Sequence, residues 1–96
     1  MTSARLSVAN PSGLHARPAA LFVRTAGRFR SRVTVANATT GKGPVDAKSI
    51  LSVLTLGVGH GMEIEISADG DDAEAAIQGL RDAVSAGLGE TLGEGV

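Results

Sequence analysis

The chain has 96 residues, a net charge of −1, 43% hydrophobic and 20% charged residues, which is the composition of one globular domain. The balanced charge gives no field for DNA or an anionic membrane, and two phenylalanines without tyrosine or tryptophan give no platform for base stacking. The lack of cysteine excludes disulfides, thiolate catalysis and cysteine zinc sites. Two histidines are too few for a multi-histidine metal site within one subunit, so we expect neither metal nor cofactor.

The distribution of apolar residues and glycines along the chain predicts its location and its domain bounds. No long apolar run follows Arg5, and no stretch approaches the length of a membrane span, so we expect a cytoplasmic protein without membrane insertion. We expect a single domain over residues 1–96, with a core from about 4 to 86. The many glycines of residues 87–96 predict a flexible tail.

The first elements are a strand and a helix. Alternation over residues 4–9 predicts a strand, and the turn cluster Asn10-Pro11-Ser12-Gly13 ends it. A helix follows from about residue 16, because small and apolar residues recur there at helical spacing. The predicted buried stripe of this helix consists of Ala16, Ala19, Ala20, Val23, Ala26 and Gly27.

A hairpin and a short helix follow. Residues 32–37 predict a second strand, and the Thr, Asn and Gly residues after it predict a hairpin connection. The third strand, around Pro44 and Val45, should be an edge strand because proline cannot donate to a sheet ladder. Asp46 can cap a short helix that runs to about Leu56.

The last predicted elements complete the fold. Residues 62–68 alternate strictly and predict a fourth strand. A final helix starts near Asp71, whose spacing to Glu74 fits a capping box, and its buried stripe consists of Ala73, Ala76, Ile77, Leu80 and Val84. The order β-α-β-β-α-β-α predicts an α+β fold: a four-stranded, mostly antiparallel sheet covered on one face by three helices.

The segment Ser-Gly-Leu-His-Ala-Arg-Pro at residues 12–18 carries the clearest chemistry. It puts His15 at a helix N-terminus, where amides without intrahelical acceptors and the helix dipole favour an oxyanion such as a phosphoryl group. The backbone N–H groups of Ala16 and Arg17 are the natural donors, and the Arg17 guanidinium can add charge-assisted contacts. The site therefore predicts a phosphoryl group carried on the imidazole.

The segment Gly13-Leu14-His15-Ala16-Arg17-Pro18-Ala19 resembles the active-site signature of the HPr family. These proteins are the histidine-containing phosphocarriers of the phosphoenolpyruvate-dependent sugar phosphotransferase system. Residues 48–57 are similar to the family's second-helix motif around a regulatory serine, residues 61–64 fit its fourth strand, and the resemblance extends from about residue 4 to 84.

The resemblance implies a two-layer, open-faced β-sandwich and a carrier rather than an enzyme. It implies that enzyme I, charged by phosphoenolpyruvate, phosphorylates His15 at Nδ1, and that His15 passes the phosphoryl group to a sugar-specific enzyme IIA. Arg17 matches the family's catalytic arginine.

Apolar residues outside the predicted core stripes indicate a partner surface near His15. A short helix that is apolar on both faces should be buried or bound, so we expect one face to dock partners. The alternative is that these residues fill a larger core; the resemblance favours docking, because HPr partners bind this surface. A carrier that must expose the surface is expected to be a monomer. The predicted docking residues are Phe22, Arg24, Lys48, Ile50, Leu51 and Leu54.

Ser49 matches the family's regulatory serine. A phosphate there would add about two negative charges to the docking surface and weaken binding of enzyme I. This regulation needs an HPr kinase/phosphorylase, and the alternative is a serine that only caps a helix.

Two other functions stay open at this point. One is an HPr-like carrier in a regulatory, nitrogen-linked or dihydroxyacetone-linked phosphotransfer chain, with the same chemistry and other partners. The other is a small ligand-binding or regulatory α+β domain, because fold alone does not fix function.

Overall fold

The computed structural model describes residues 1–90, and its elements follow in the predicted order. Its four strands are β1 (Thr2–Ser7), β2 (Arg32–Asn37), β3 (Val45–Asp46) and β4 (Glu63–Asp69), and its three helices are α1 (Ala16–Gly27), α2 (Ile50–Leu54) and α3 (Ala73–Ser85). The sheet order is β1-β4-β2-β3, and each neighbouring pair is antiparallel. The predicted open-faced α+β sandwich is confirmed, with β3 at an edge. None of the helices in residues 1–90 combines the length and the apolar character needed to cross a bilayer.

The sheet buries one face, because strand side chains alternate between its two sides. In β4, Ile64 and Ile66 are buried while Glu65 between them is exposed. In β2, Val33 and Val35 belong to the same buried layer. The three helices cover this apolar face, and polar side chains occupy the other.

The buried stripe predicted for α3 is confirmed, since Ala73, Ala76, Ile77, Leu80 and Val84 are all buried. The stripe predicted for α1 is partly wrong. Its buried residues are Pro18, Ala19, Phe22 and Ala26, whereas Ala16, Ala20 and Gly27 are exposed. An aromatic side chain buries far more apolar area than an alanine, so Phe22 sets the rotation of the helix.

Both predicted helix caps differ from the observed ones. The helix α2 begins three residues later than expected, after Ser49, whose Oγ accepts a hydrogen bond from the Ser52 amide at 3.3 Å. Asp46 instead accepts a hydrogen bond from the Lys48 amide at 2.9 Å and holds the preceding turn. The N-cap of α3 is Asp72 rather than Asp71, so the predicted capping box is wrong.

Residues 87–90 fold back onto the domain, so the prediction of a flexible tail from residue 87 is wrong for this segment. The helix α3 ends in a Schellman motif, in which the Gly87 amide donates to the Val84 carbonyl and the Leu88 amide donates to the Ala83 carbonyl. Gly87 has a φ of +92°, which glycine adopts at no steric cost, and Leu88 is buried. The rest of the predicted tail, residues 91–96, lies outside the described residues.

Candidate functional site

His15 is the N-cap residue of α1, with an extended backbone and an exposed imidazole. Its carbonyl accepts a hydrogen bond from the Ala19 amide at 3.4 Å. Its side chain makes no capping hydrogen bond, so the backbone on either side determines where the imidazole lies. An exposed imidazole in this position can be approached by another macromolecule.

Ala16 turns the chain into the helix with a φ of +52°, a left-handed conformation that is uncommon for residues other than glycine. Such a backbone costs on the order of 1–3 kcal/mol, and residues of this kind cluster at functional sites. The amides of Ala16 and Arg17 find no acceptor within residues 1–90, as expected for the first turn of a helix. They are therefore available to an oxyanion beside His15.

Arg17 is exposed two residues after the imidazole, while Pro18 is buried and fixes the first turn of α1. The ion pairs found in the described part of the chain join Arg5 to Glu63 at 3.9 Å and to Glu65 at 3.7 Å, on the open face of the sheet. No carboxylate in residues 1–90 lies within 4 Å of the Arg17 guanidinium, which leaves its charge available to an anion.

The loop before His15 is anchored to the body of the domain. The Leu14 amide donates to the Val58 carbonyl at 2.9 Å, and the Leu14 side chain is fully buried. Gly13 has a φ of +60°, and the buried amide of Asn10 donates from Nδ2 to the Gly13 carbonyl at 2.9 Å. These anchors before His15, together with the buried Pro18 after it, hold the backbone of an otherwise exposed residue.

Sequence reasoning missed Glu90, which is bonded to this loop. Its Oε1 accepts hydrogen bonds from the Ser12 amide at 2.8 Å and from Asn10 Nδ2 at 3.0 Å, and its Oε2 accepts one from Ser12 Oγ at 2.7 Å. These hydrogen bonds, that from Asn10 first, lower the pKa of the Glu90 carboxyl. Gly87, which follows the end of α3, signals the Schellman turn after this helix, but nothing in the sequence signals the hydrogen bonds between Glu90 and the loop.

The predicted docking residues divide into exposed and buried ones. Leu51 is 75% exposed, and Ile50 and Leu54 are 37% and 36% exposed. Phe22 is fully buried, so its assignment to a partner surface is wrong: the side chain fills the core beneath α1.

The other predicted docking residues and Ser49 lie on α1 and just before α2. Arg24 is exposed, and the half-buried Lys48 donates from Nζ to the Phe29 carbonyl at 2.7 Å. Because α1 and α2 pack against each other, the exposed side of α2 lies beside the helix that begins at His15. Ser49 is half-buried at the start of α2.

Other places in the described residues offer less chemistry. Residues 1–90 hold no cluster of three or more His, Asp or Glu side chains that could bind a metal ion. A concavity of about 460 Å³ lies at the β2–β3 edge, lined by residues such as Arg32, Pro44 and Lys48, and His15 is not among its lining residues. The start of α1, with its exposed imidazole, exposed guanidinium and available amides, is therefore the better candidate site.

Known proteins similar to the chain carry the same arrangement of elements. Residues 2–86 match the protein family described as "PTS HPr component phosphorylation site". The phosphocarrier protein HPr of Streptomyces coelicolor is 44% identical over 90 residues, which cover 94% of this chain and 95% of that protein. The crystal structure of HPr-C-His from Thermoanaerobacter tengcongensis has a TM-score of 0.89 and 43% identity, covering 96% of this chain and 100% of that chain.

A longer class of proteins also matches. The multiphosphoryl transfer protein of Vibrio cholerae is 44% identical over 88 residues, which cover 92% of this chain but 22% of that protein. The chain thus spans about a fifth of the length of this relative.

Proposed function

The chain belongs to the HPr family of the phosphotransferase system, and on this premise we propose that it is a phosphoryl carrier with His15 as its acceptor. It takes a phosphoryl group from enzyme I, itself charged by phosphoenolpyruvate, onto Nδ1 of His15. It then passes the group to a sugar-specific enzyme IIA during sugar uptake. The observation that best supports this role is the exposed imidazole at the start of α1, beside the available amides of Ala16 and Arg17.

The proposed transfer needs few protein groups. A new P–N bond forms at Nδ1 as the bond between phosphorus and the donor breaks, and the same exchange in reverse delivers the group to the acceptor. The amides of Ala16 and Arg17 and the Arg17 guanidinium bind the phosphoryl oxygens, because such transfer depends mainly on positioning and charge stabilisation. An exposed imidazole can meet donor and acceptor in turn, as suits a carrier rather than an enzyme with its own substrate pocket.

Partners dock on the exposed apolar side of α2. Ile50, Leu51 and Leu54 form this patch, and Arg24 and Lys48 supply positive charge near it. Exposed apolar side chains rimmed by polar ones are typical of protein interaction sites, and the positive rim would speed encounter with acidic partners. A carrier charged from phosphoenolpyruvate works in the cytoplasm, and as a monomer because this patch must stay open.

Ser49 gives the same surface a means of regulation. It caps α2 at the edge of the docking patch, so a phosphate added by an HPr kinase/phosphorylase would sit among the residues that bind enzyme I. In Ser49→Asp, whose carboxylate can still cap the helix, we expect weaker binding of enzyme I with unchanged stability. If Ser49→Asp binds enzyme I as tightly as Ser49→Ala does, the serine has only a capping role.

Intact-mass spectrometry after incubation with enzyme I and phosphoenolpyruvate tests the carrier role. The wild-type chain should gain one acid-labile phosphoryl group, and His15→Ala should gain none. His60→Ala is the matched control, because His60 is the other exposed histidine, and it should be phosphorylated like the wild type.

Lack of phosphorylation by the sugar-system enzyme I from the same organism would contradict the proposal. Charging by the enzyme I of a nitrogen-linked or dihydroxyacetone-linked chain instead would keep the chemistry and reassign the partners.

A further inference from the structure

We propose that Glu90 is a positioning residue for phosphoryl transfer at His15, because its carboxylate fixes the loop of residues 10–14 that leads into α1. The inference rests on the carrier function proposed above. Glu90 lies beyond residues 2–86, the span of the family model, so the match to that model says nothing about it.

Both oxygens of the Glu90 carboxylate are engaged by the loop. Oε1 accepts from the Ser12 amide and from Asn10 Nδ2, at 2.8 and 3.0 Å, and Oε2 accepts from Ser12 Oγ at 2.7 Å. Hydrogen bonds to an ionised acceptor are stronger than those between neutral groups. Three of them to one carboxylate fix the loop in distance and in orientation.

The side chain of Asn10 carries this restraint toward His15. It is fully buried, and its Nδ2 bonds the Gly13 carbonyl at 2.9 Å as well as Glu90. Leu14, which follows Gly13 and directly precedes His15, is also buried. Removing Glu90 would leave the buried Asn10 amide without one of its acceptors, which favours rearrangement of the loop.

The backbone of residues 87–89 places Glu90 beside the loop of residues 10–14. After α3, Gly87, Leu88 and Gly89 have φ values of +92°, +50° and +86°, and these left-handed residues turn the chain back toward the loop. The buried Leu88 side chain anchors the turn, and the Glu90 amide donates to the Gly87 carbonyl at 2.9 Å. The carboxylate is therefore held in position before any partner binds.

His15 needs such support because its own side chain makes no capping hydrogen bond. The direction of its imidazole depends on α1 after it and on the loop before it. A displacement of about 1 Å can slow a transfer reaction about 100-fold, so a partly released loop should reduce the rate measurably.

The test is the single-turnover rate of phosphoryl transfer from phosphorylated enzyme I to the full chain. We expect Glu90→Ala to lower the rate at saturating enzyme I about tenfold. The enzyme I concentration for half-saturation should not change, because the docking residues of α2 are intact. Glu90→Gln should stay within about twofold of the wild type, since its amide can accept the two N–H bonds and donate to Ser12 Oγ.

Glu65→Ala is the charge-matched control. It removes an exposed carboxylate from the open face of the sheet and should transfer at the wild-type rate. A Glu90→Ala rate equal to the wild-type rate would overturn the inference. Equal losses in Glu90→Ala and Glu90→Gln would also overturn it, because they would assign the effect to charge rather than to the position of the loop.

Amide hydrogen exchange separates a local effect from a loss of stability. In Glu90→Ala we expect faster exchange at the Ser12 amide and unchanged exchange at Ile64 and Ile66 of β4. Faster exchange at all three would overturn the inference. Failure of the carrier function itself is recognised separately, because the wild type and the Glu65→Ala control would then take up no phosphoryl group.

Discussion

Gly13 occupies a place where the backbone leaves no room for a side chain. Its φ is +60°, and a Cβ atom there would overlap the Val58 carbonyl oxygen and lie 2.7 Å from the Cα of Gly59. We expect Gly13→Ala to lower the free energy of unfolding by about 2–4 kcal/mol, since backbone strain adds to steric overlap. The shift of the urea midpoint measures this.

The matched control is Gly27→Ala at the end of α1, where an added Cβ meets nothing within 4 Å. This change should be neutral or stabilise the protein by up to about 1 kcal/mol. Equal midpoints for the two variants would contradict the steric argument for Gly13.

Asp72 makes the stability of the fold depend on pH. Its carboxylate accepts hydrogen bonds from the hydroxyl and amide of Ser31 and from the Arg30 amide, and these bonds lower its pKa from 3.8 to about 2. A carboxyl with a depressed pKa in the folded state stabilises the fold fully above its unfolded pKa. That contribution is lost as the pH falls from about 4 to about 2.

We therefore expect the wild type to be more stable than Asp72→Ala at pH 6, and the difference to shrink as the pH falls from about 4 to 2. Thermal unfolding of both proteins across this pH range measures the difference in stability. Asp71→Ala, which changes an exposed neighbour, is the control for the lost charge. A wild-type advantage that stays constant down to pH 2 would contradict the assignment.

At the scale of single elements, a substitution on the exposed side of α2 can test the proposed docking without changing the stability of the fold. Leu51 is 75% exposed, so Leu51→Gln should change the free energy of unfolding by less than about 0.5 kcal/mol. The same change should raise the enzyme I concentration for half-maximal transfer about tenfold without lowering the maximal rate, because truncating a central contact commonly costs more than 1 kcal/mol of binding.

The control for Leu51→Gln is Arg81→Gln on the exposed side of α3, which should leave transfer unchanged. A Leu51→Gln protein with the wild-type half-saturation concentration would contradict docking at this side of α2.

Elements with one dominant pattern could be predicted from sequence, and those with competing signals could not. The bounds of β2 and the buried stripe of α3 match the structure because strand alternation and helical spacing each point to one face. For α2, Asp46 and Ser49 are both good caps. Asp46 lies in β3 opposite Thr34, so sheet pairing delays the helix until Ser49.

In the candidate site, too, residues placed by a local motif could be predicted and residues placed by distant contacts could not. The position of His15 and Arg17 at the start of α1 could be predicted because the motif is local and one helix start is enough to place both residues. Glu90 could not, since its partners Ser12 and Asn10 lie at the other end of the chain. Phe22 was misassigned because spacing alone does not tell which side of α1 faces the sheet.

At the scale of the whole molecule, the loop after β1 and the segment after α3 meet beside the proposed reaction site. The loop after β1 carries His15 into α1, and the segment after α3 returns to bond that loop through Glu90. The exposed side of α2 lies beside α1, so the proposed docking patch and the proposed transfer site share one region of the molecule. This arrangement keeps the His15 imidazole exposed while the backbone before it is fixed.

The order of strands in the sheet has a consequence for synthesis on the ribosome. Among the described strands, β1 pairs only with β4, which also pairs with β2 and thereby joins the two ends of the sheet. A nascent chain that has not yet delivered residues 63–69 cannot complete its sheet, and contacts between distant residues are slow to form. Glu90 emerges later still, so a newly translated chain forms the hydrogen bonds that fix the loop before His15 only after its sheet can close.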